Sequence, residues 1–332
     1  MEEQQIIHLV EKNYDIKVYD YKKIKGVYKI FSDGIYYALK VISYEFGHFN
    51  FIINAILHLQ KSGLKFIPEI ILTKDDKAYF ECNNEYYYIS KWVSSRSSNY
   101  NDESELLKVV QNVAILHKFS EGFKVTKDME PRIYWFNWLK NFYIRKNEII
   151  NFKDRIMQKA NKDEFDLIYF NEVDKEIETA EKSILALYRS KYFEIMKKQV
   201  QKRGFCHHDL AEHNVLISQK NNIYFIDFDY CVLDSYLHDL ASIIIRSNKD
   251  GRWSEEKFNK IINSYSYIQK ITEAEKEIIL AFIRFPQEFW QLGIQKYWEM
   301  QDYSEDIYLK KLINYLEDRD KKASVISYLS IR

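Results

Sequence analysis

Apolar and polar positions follow a largely β-type pattern through the first hundred residues and a helical period after that, with one short return to β-type alternation between residues 205 and 228. After a short first helix, "VYKIFSDGIYYALKVI" (27 to 42) predicts two strands joined at Ser32-Asp33-Gly34, with Lys40 in the second strand. Residues 44 to 62 place Phe46, Phe49, Ile53, Ile56, Leu57 and Gln60 at helical spacing, with Gly63 as the stop. "AYFECNNEYYYISKWV" (78 to 93) predicts a second hairpin, turning at Asn83-Asn84. From Asp102 the texture is helical: Asp102 with Glu105 forms a capping-box pattern ahead of Leu106, Val109, Val110, Val113 and Leu116. Residues 132 to 200 mix aromatic and charged positions at helical period, and helices resume after 228. This order predicts an α+β protein with a small β-rich N-terminal lobe and a larger, mainly helical C-terminal lobe.

Composition narrows what such a chain does. The 332 residues include 49 basic and 49 acidic side chains, so the electrostatic footprint of a nucleic-acid binder is absent and no nucleic-acid partner is expected. Cys82, Cys206 and Cys231 are odd in number, widely spaced and form no C-x-x-C pair, which argues against a disulfide framework or a zinc site and for a reducing compartment. The start "MEEQQIIHLV" is acidic where a signal peptide is basic, and no apolar run approaches the roughly 18 residues of a membrane span. The expectation is a soluble chain made in the cytoplasm, with no membrane partner.

The chemistry concentrates in "GFCHHDLAEHNVLI" (204 to 217), which runs into the turn "QKNN" and then "IYFIDF". With the turn centred between Lys220 and Asn221, Asn214 is expected to face Asp227 across a hairpin. An amide oxygen and a carboxylate so placed suit one hard cation that keeps waters and phosphate oxygens, as Mg²⁺ does. Asp229 follows on the same strand face, as an assistant or as ligand to a second ion. Asp209, a short loop before Asn214, stands where a carboxylate can take the proton of a hydroxyl nucleophile, and His207 fixes the loop by hydrogen bonds. His208 and His213 have no Cys or His partners at ligand spacing. The bland alternative, a polar turn ahead of an amphipathic hairpin, fits each residue singly but fits the combined pattern poorly.

"HHDLAEHN" and "FIDFDY" resemble the catalytic loop and metal-binding segment of the aminoglycoside phosphotransferase and choline kinase superfamily, relatives of protein kinases. Within it, "GVYKIFSDGIYYALK", "AILHKFSEGF" and "RFPQEFWQL" resemble the spore coat protein CotS family, so the resemblance covers essentially the whole chain. It implies a bilobal protein kinase-like fold with a nucleotide-binding lobe over 1–93 and a helical lobe over 94–332, the latter holding the catalytic loop (207–214) and the metal-binding hairpin (214–229). It implies ATP and Mg²⁺ as cofactors, Asp209 as catalytic base, Asn214 and Asp227 as metal ligands, and Lys40 on the ATP phosphates. Adenine would meet backbone groups at the hinge, Ser90, Lys91, Trp92 and Val93. Asp239, in "HDLA", would brace the catalytic loop, or else cap a helix.

Two departures accompany this likeness. No G-x-G-x-x-G precedes Lys40, since Gly26 and Gly34 are isolated, and no helical glutamate stands where a partner of Lys40 is expected: Glu45 is too close, and Asn54 and His58 fall further on. "PRIYWFNWLKNFYIRKNEI" sets Tyr134, Trp135, Trp138, Phe142 and Tyr143 beside Arg132, Lys140, Arg145 and Lys146, either as an acceptor pocket or as core with a solvated face. Trp290, Tyr297 and Trp298 are read as packing, and His117 as a satisfied interior histidine. Two functions follow: an ATP-dependent phosphotransferase to a hydroxyl of a small molecule or glycan, or a catalytically weak kinase-fold component of the coat. Either would place the mature protein in the coat of a spore-forming bacterium, with other coat proteins as partners.

Overall fold

The computed structural model describes residues 3–301 and 303–331. Their packing divides into two compact units: Met1–Asn99 with Ile115–Ile133 and Arg203–Leu233, and Tyr100–Ala114 with Tyr134–Lys202 and Asp234–Arg332. The expected lobe boundary at 93 lies near the first of these breaks, while the segment carrying the catalytic loop and hairpin packs with the N-terminal sheet.

The first unit opens with α1 (Glu3–Asn13), then β1 (Asp20–Ile24), β2 (Val27–Ser32), β3 (Ile35–Ile42), α2 (Phe46–Lys61), β4 (Ile70–Ile71), β5 (Phe80–Cys82) and β6 (Glu85–Lys91). These strands form one sheet in the order β1-β2-β3-β6-β4, with β5 also on β6. The two predicted hairpins are present. Ser32 pairs with Ile35 around Asp33-Gly34 and Cys82 with Glu85 around Asn83-Asn84, all four turn residues having positive φ, as a two-residue hairpin of this twist requires. β1 is an added strand; it meets β2 through a turn of only Lys25-Gly26, because Ile24 pairs directly with Val27.

Period-two alternation sorts the faces of this sheet. Ile30, Leu39, Tyr87 and Ile89 pack against Ile6 and Val10 of α1 in one buried cluster. Ala38 and Lys40 therefore point to the opposite face. α2 buries Phe49, Ile52, Ile53, Ile56 and Leu59, and ends at Gly63 (φ +91°), where Leu64 N–H reaches Leu59 O at 3.0 Å.

A second sheet, β7 (Ser95–Ser97), β8 (Val215–Ser218) and β9 (Ile223–Phe225), runs antiparallel in that order. Phe225 N–H donates to Phe66 O at 2.7 Å, tying the sheet to the segment after α2. Its register corrects the expected one. Val215 pairs with Phe225 and Ile217 with Ile223, so Asn214 stands opposite Ile226 and not Asp227. The physical reason is the turn: Asn221 takes a left-handed conformation (φ 57°), and Ser218 N–H bonds Asn222 O at 2.9 Å around a three-residue loop.

α3 (Glu103–Ser120) begins in the second unit and ends in the first, and Asp102 Oδ1 accepts from Glu105 N–H at 3.0 Å at its start. The rest of the second unit is helical: α4 (Trp138–Gln158), α5 (Glu164–Arg189), α6 (Tyr192–Lys202), α7 (Tyr236–Asn248), α8 (Glu255–Ser266), α9 (Glu273–Arg284), α10 (Gln287–Gly293) and α11 (Glu305–Ile331), with a π-helical turn at Ile294–Trp298. Asp163 and Asp166 close a capping box on α5, as Thr272 and Glu275 do on α9. Phe152, Phe165, Tyr169, Phe289 and Tyr297 share one buried cluster. Gly293 belongs there for want of room: a Cβ on it would stand 2.3 Å from the Phe152 ring.

Candidate active site

Lys40 reaches the site because β3 carries it on the face turned away from α1. It pairs across the sheet with Val27 and with Tyr88 of β6. Its Nζ donates to Asp227 Oδ1 at 2.6 Å and to Asp229 Oδ1 at 2.5 Å. Burial by itself lowers the pKa of Lys40, but its interactions with Tyr88 and with the Asp229 and Asp227 carboxylates outweigh that penalty and hold the ammonium well above the ordinary lysine range. Tyr88 is pushed up to about 12, chiefly by burial.

The two carboxylates differ. Asp227 sits just beyond β9 in a left-handed conformation (φ 66°, ψ 66°), which turns the chain into the 3₁₀ segment Phe228–Tyr230 that carries Asp229. Burial opposes ionisation of Asp227, yet the Lys40 charge and hydrogen bond hold its pKa below the usual carboxylate range. Asp229 is moved up, by burial first, with the Asp227 charge adding to it. Its side chain is 15% exposed against 41% for Asp227, and Oδ2 lies 3.5 Å from the Tyr44 hydroxyl.

The residues expected on the catalytic loop form a second group. Asn214, at the end of the 3₁₀ turn Glu212–Asn214, is buried, and its Nδ2 donates to Asp209 Oδ2 at 2.8 Å and to Asp209 O at 3.0 Å. His207 is fully buried and spans the two groups. Its Nε2 lies 2.9 Å from Ile226 O, next to Asp227, and Asp209 N–H points to Nδ1 at 3.4 Å, which assigns the proton to Nε2.

The residues expected at the hinge lie at the end of β6 and just beyond it. Ser90 pairs with Ala38 on one side and Ile70 on the other, Lys91 N–H donates to Glu69 O, and Trp92 N–H donates to Tyr36 O. The Trp92 ring lies under Lys29 Nζ, 5.0 Å from its centroid, and Tyr36 is 4.0 Å away on the same ammonium.

Several of the other sequence candidates have structural occupations. Trp138 and Phe142 are buried, Arg145 bonds Gln287 and stacks on Trp290, Lys146 pairs with Glu181, and Tyr297 donates to Asp166. His117 is buried. Asp239 is buried in the first turn of α7, whose cap is Ser235. Among the α2 residues, Glu45 is the exposed N-cap position, Asn54 bonds Asn50, and His58 lies 3.2 Å from Glu121 O. The partner of Lys40 is therefore Asp229 as well as Asp227. The D-x-D spacing of "FIDFDY" was the available signal, but only the register of β3 against β6 and the turn at Asp227 bring it to Lys40.

The donor set fits a hard divalent cation. The Asn214 nitrogen is committed to Asp209, so it is the amide oxygen that could serve a cation, and Asp227 is the better ionised and more exposed of the two carboxylates. Neither Cys206 nor Cys231, both buried thiols, belongs to this set.

A family model described as "Spore coat putative kinase YutH" matches residues 7–329. Spore coat protein S of Bacillus subtilis (strain 168) is 22% identical over 281 residues, covering 84% of this chain and 79% of that protein. The crystal structure of an aminoglycoside phosphotransferase from Alicyclobacillus acidocaldarius subsp. acidocaldarius DSM 446 superposes with a TM-score of 0.85 at 19% identity, over 97% of this chain and 95% of that one. Spectinomycin phosphotransferase APH(9)-Ia, solved with ADP and spectinomycin, gives 0.64 at 16% identity over 98% of both chains. The N-terminal sheet and the mostly helical remainder are thus the fold of these small-molecule kinases, and the match over nearly the whole length shows that the chain belongs to the spore coat kinase-like family.

Proposed function

We propose that the protein is an ATP- and Mg²⁺-dependent phosphotransferase acting on a hydroxyl of a small molecule or glycan, made in the cytoplasm and carried on the spore coat. The observation behind this is the joint arrangement of Asp209 held by Asn214, Asp227 beside Lys40, and His207 spanning both. A scaffold has no physical need for all of them. Bound at Asn214 and Asp227, the cation would neutralise phosphate charge. Lys40 holds the phosphates by charge once they replace part of its present pairing. Asp209 orients the acceptor hydroxyl and takes its proton. His207 keeps the loop and the Asp227 turn in step. At the hinge, Ser90, Lys91 and Trp92 use backbone groups within the sheet, so the adenine edge falls to the backbone around Val93.

A second reading, a catalytically weak coat component, is favoured by one observation: the β1–β2 turn is only Lys25-Gly26, too short to fold over phosphates as a glycine-rich loop does. A thermal melt with and without Mg²⁺-ATP separates the two. Nucleotide at about 100 times its dissociation constant stabilises the native state by roughly 2.7 kcal/mol, so a clear rise in melting temperature is expected. An unchanged melt at millimolar Mg²⁺-ATP favours the scaffold.

A further inference from the structure

Among the described residues, Lys40 is bonded to two carboxylates, both from the segment after β9, and α2 carries none: "FGHFNFIINAILHLQK" contains no acidic residue. A lysine side chain free to rotate loses rotamer freedom when it is fixed on a ligand. A strand lysine that works on phosphates therefore gains from a standing partner that directs its ammonium. We propose that Asp229 is that positioning residue, doing from the 3₁₀ segment after the metal-binding aspartate what an acidic residue on α2 would otherwise do. The inference rests on the phosphotransferase reading of the same site.

Three features separate Asp229 from Asp227. Asp229 is the more enclosed carboxylate, 15% exposed against 41%. The 3₁₀ turn Phe228–Tyr230 that carries it packs against α2, so its backbone has a fixed seat. Its second oxygen faces the Tyr44 hydroxyl at 3.5 Å. Asp227, at the cap of that turn and the more exposed of the two, is the group available to a cation and its phosphate oxygens. On loading, Lys40 gives up Asp227 and keeps Asp229. The ammonium then stays on its line while one carboxylate changes partner.

The test is a double-mutant cycle between Lys40→Met and Asp229→Asn, read as Mg²⁺-ATP affinity by calorimetry and as melting temperature without nucleotide. Asp229→Asn is expected to weaken Mg²⁺-ATP binding about tenfold in the wild-type background and by less than about twofold in the Lys40→Met background, since a residue acting through Lys40 has nothing left to position. Asp229→Glu should restore most of the loss, and the Mg²⁺ concentration for half-maximal binding should stay within about twofold of wild type. The nucleotide-free melts should likewise be non-additive. An equal loss in both backgrounds, or a rise in the Mg²⁺ requirement, overturns the positioning role and makes Asp229 an independent metal ligand. No loss at all overturns it too. If the wild type itself fails to bind Mg²⁺-ATP, the phosphotransferase reading falls and this inference with it, an outcome distinct from wild-type binding with an inert Asp229.

Discussion

The side-chain nitrogen of Asn214 lies between the carbonyl and carboxylate oxygens of Asp209, 2% exposed, in a turn that leaves little room for water. Asn214→Ala leaves Asp209 without that restraint and removes the amide oxygen. We expect a stability loss of about 1 to 3 kcal/mol from the unmade buried hydrogen bonds, measured by urea denaturation, and phosphoryl transfer near background. A titrating residue gives a separate check. Asp234 is buried in the second unit, bonded by Trp138 Nε1 and Ser235 N–H, and burial pushes its pKa up to about 6 from 3.8. Below pH 4 it is protonated in both states. Between pH 4 and 6 the unfolded chain releases the proton and the folded chain keeps it, so stability is lost as pH rises through this window, by something of order 3 kcal/mol. Asp234→Asn should flatten that part of the curve in denaturant melts at pH 4 and pH 7. Residue types and local spacing singled out Asp209, His207, Asn214 and Asp227 as candidates. Tyr44, Tyr88 and the Asp229 pairing were not, because each depends on segments far apart in sequence meeting at Lys40.

Element by element, what could be read from sequence followed the strength of the local signal. The turns Asp33-Gly34 and Asn83-Asn84 carry residues that adopt positive φ readily, and both hairpins turn where expected. "QKNN" carries a weaker signal: two asparagines in a row leave open which one turns left-handed, and the choice of Asn221 moved the register by one residue and set Asp227 beyond the strand pairing. Asn221→Gly should preserve stability, whereas Asn221→Val should cost about 1 to 2 kcal/mol, visible as a lower denaturation midpoint. The β1 strand "DYKKI" was missed because its exposed, lysine-rich face lacks a clear apolar alternation. The α10 end shows the opposite limit. Gly293 has ordinary helical angles, so no turn rule marks it, yet Ala there meets the Phe152 ring and the Tyr169 hydroxyl. Gly293→Ala is predicted to destabilise by about 1 to 3 kcal/mol through overpacking, read by calorimetry.

At the scale of the whole chain, the α+β order of elements and the family were readable from the alternation of periods and from "HHDLAEHN" with "FIDFDY". The packing of residues 203–233 with the N-terminal sheet was not, since it depends on β7 pairing with β8 across more than a hundred residues of sequence. That pairing lets one unit hold Lys40, Asp209, Asn214, Asp227 and Asp229 together. No helix among the described residues is long and apolar enough to cross a membrane. The fold itself is compatible with catalysis or with a passive role in the coat, because activity resides in the site. The most direct test is transfer of the γ-phosphoryl group from labelled ATP across a panel of hydroxyl compounds and glycans, comparing wild type with Asp209→Asn. The account predicts a labelled product with wild type, and at least about a hundredfold less with the variant at an unchanged melting temperature. Equal labelling by both proteins would contradict it.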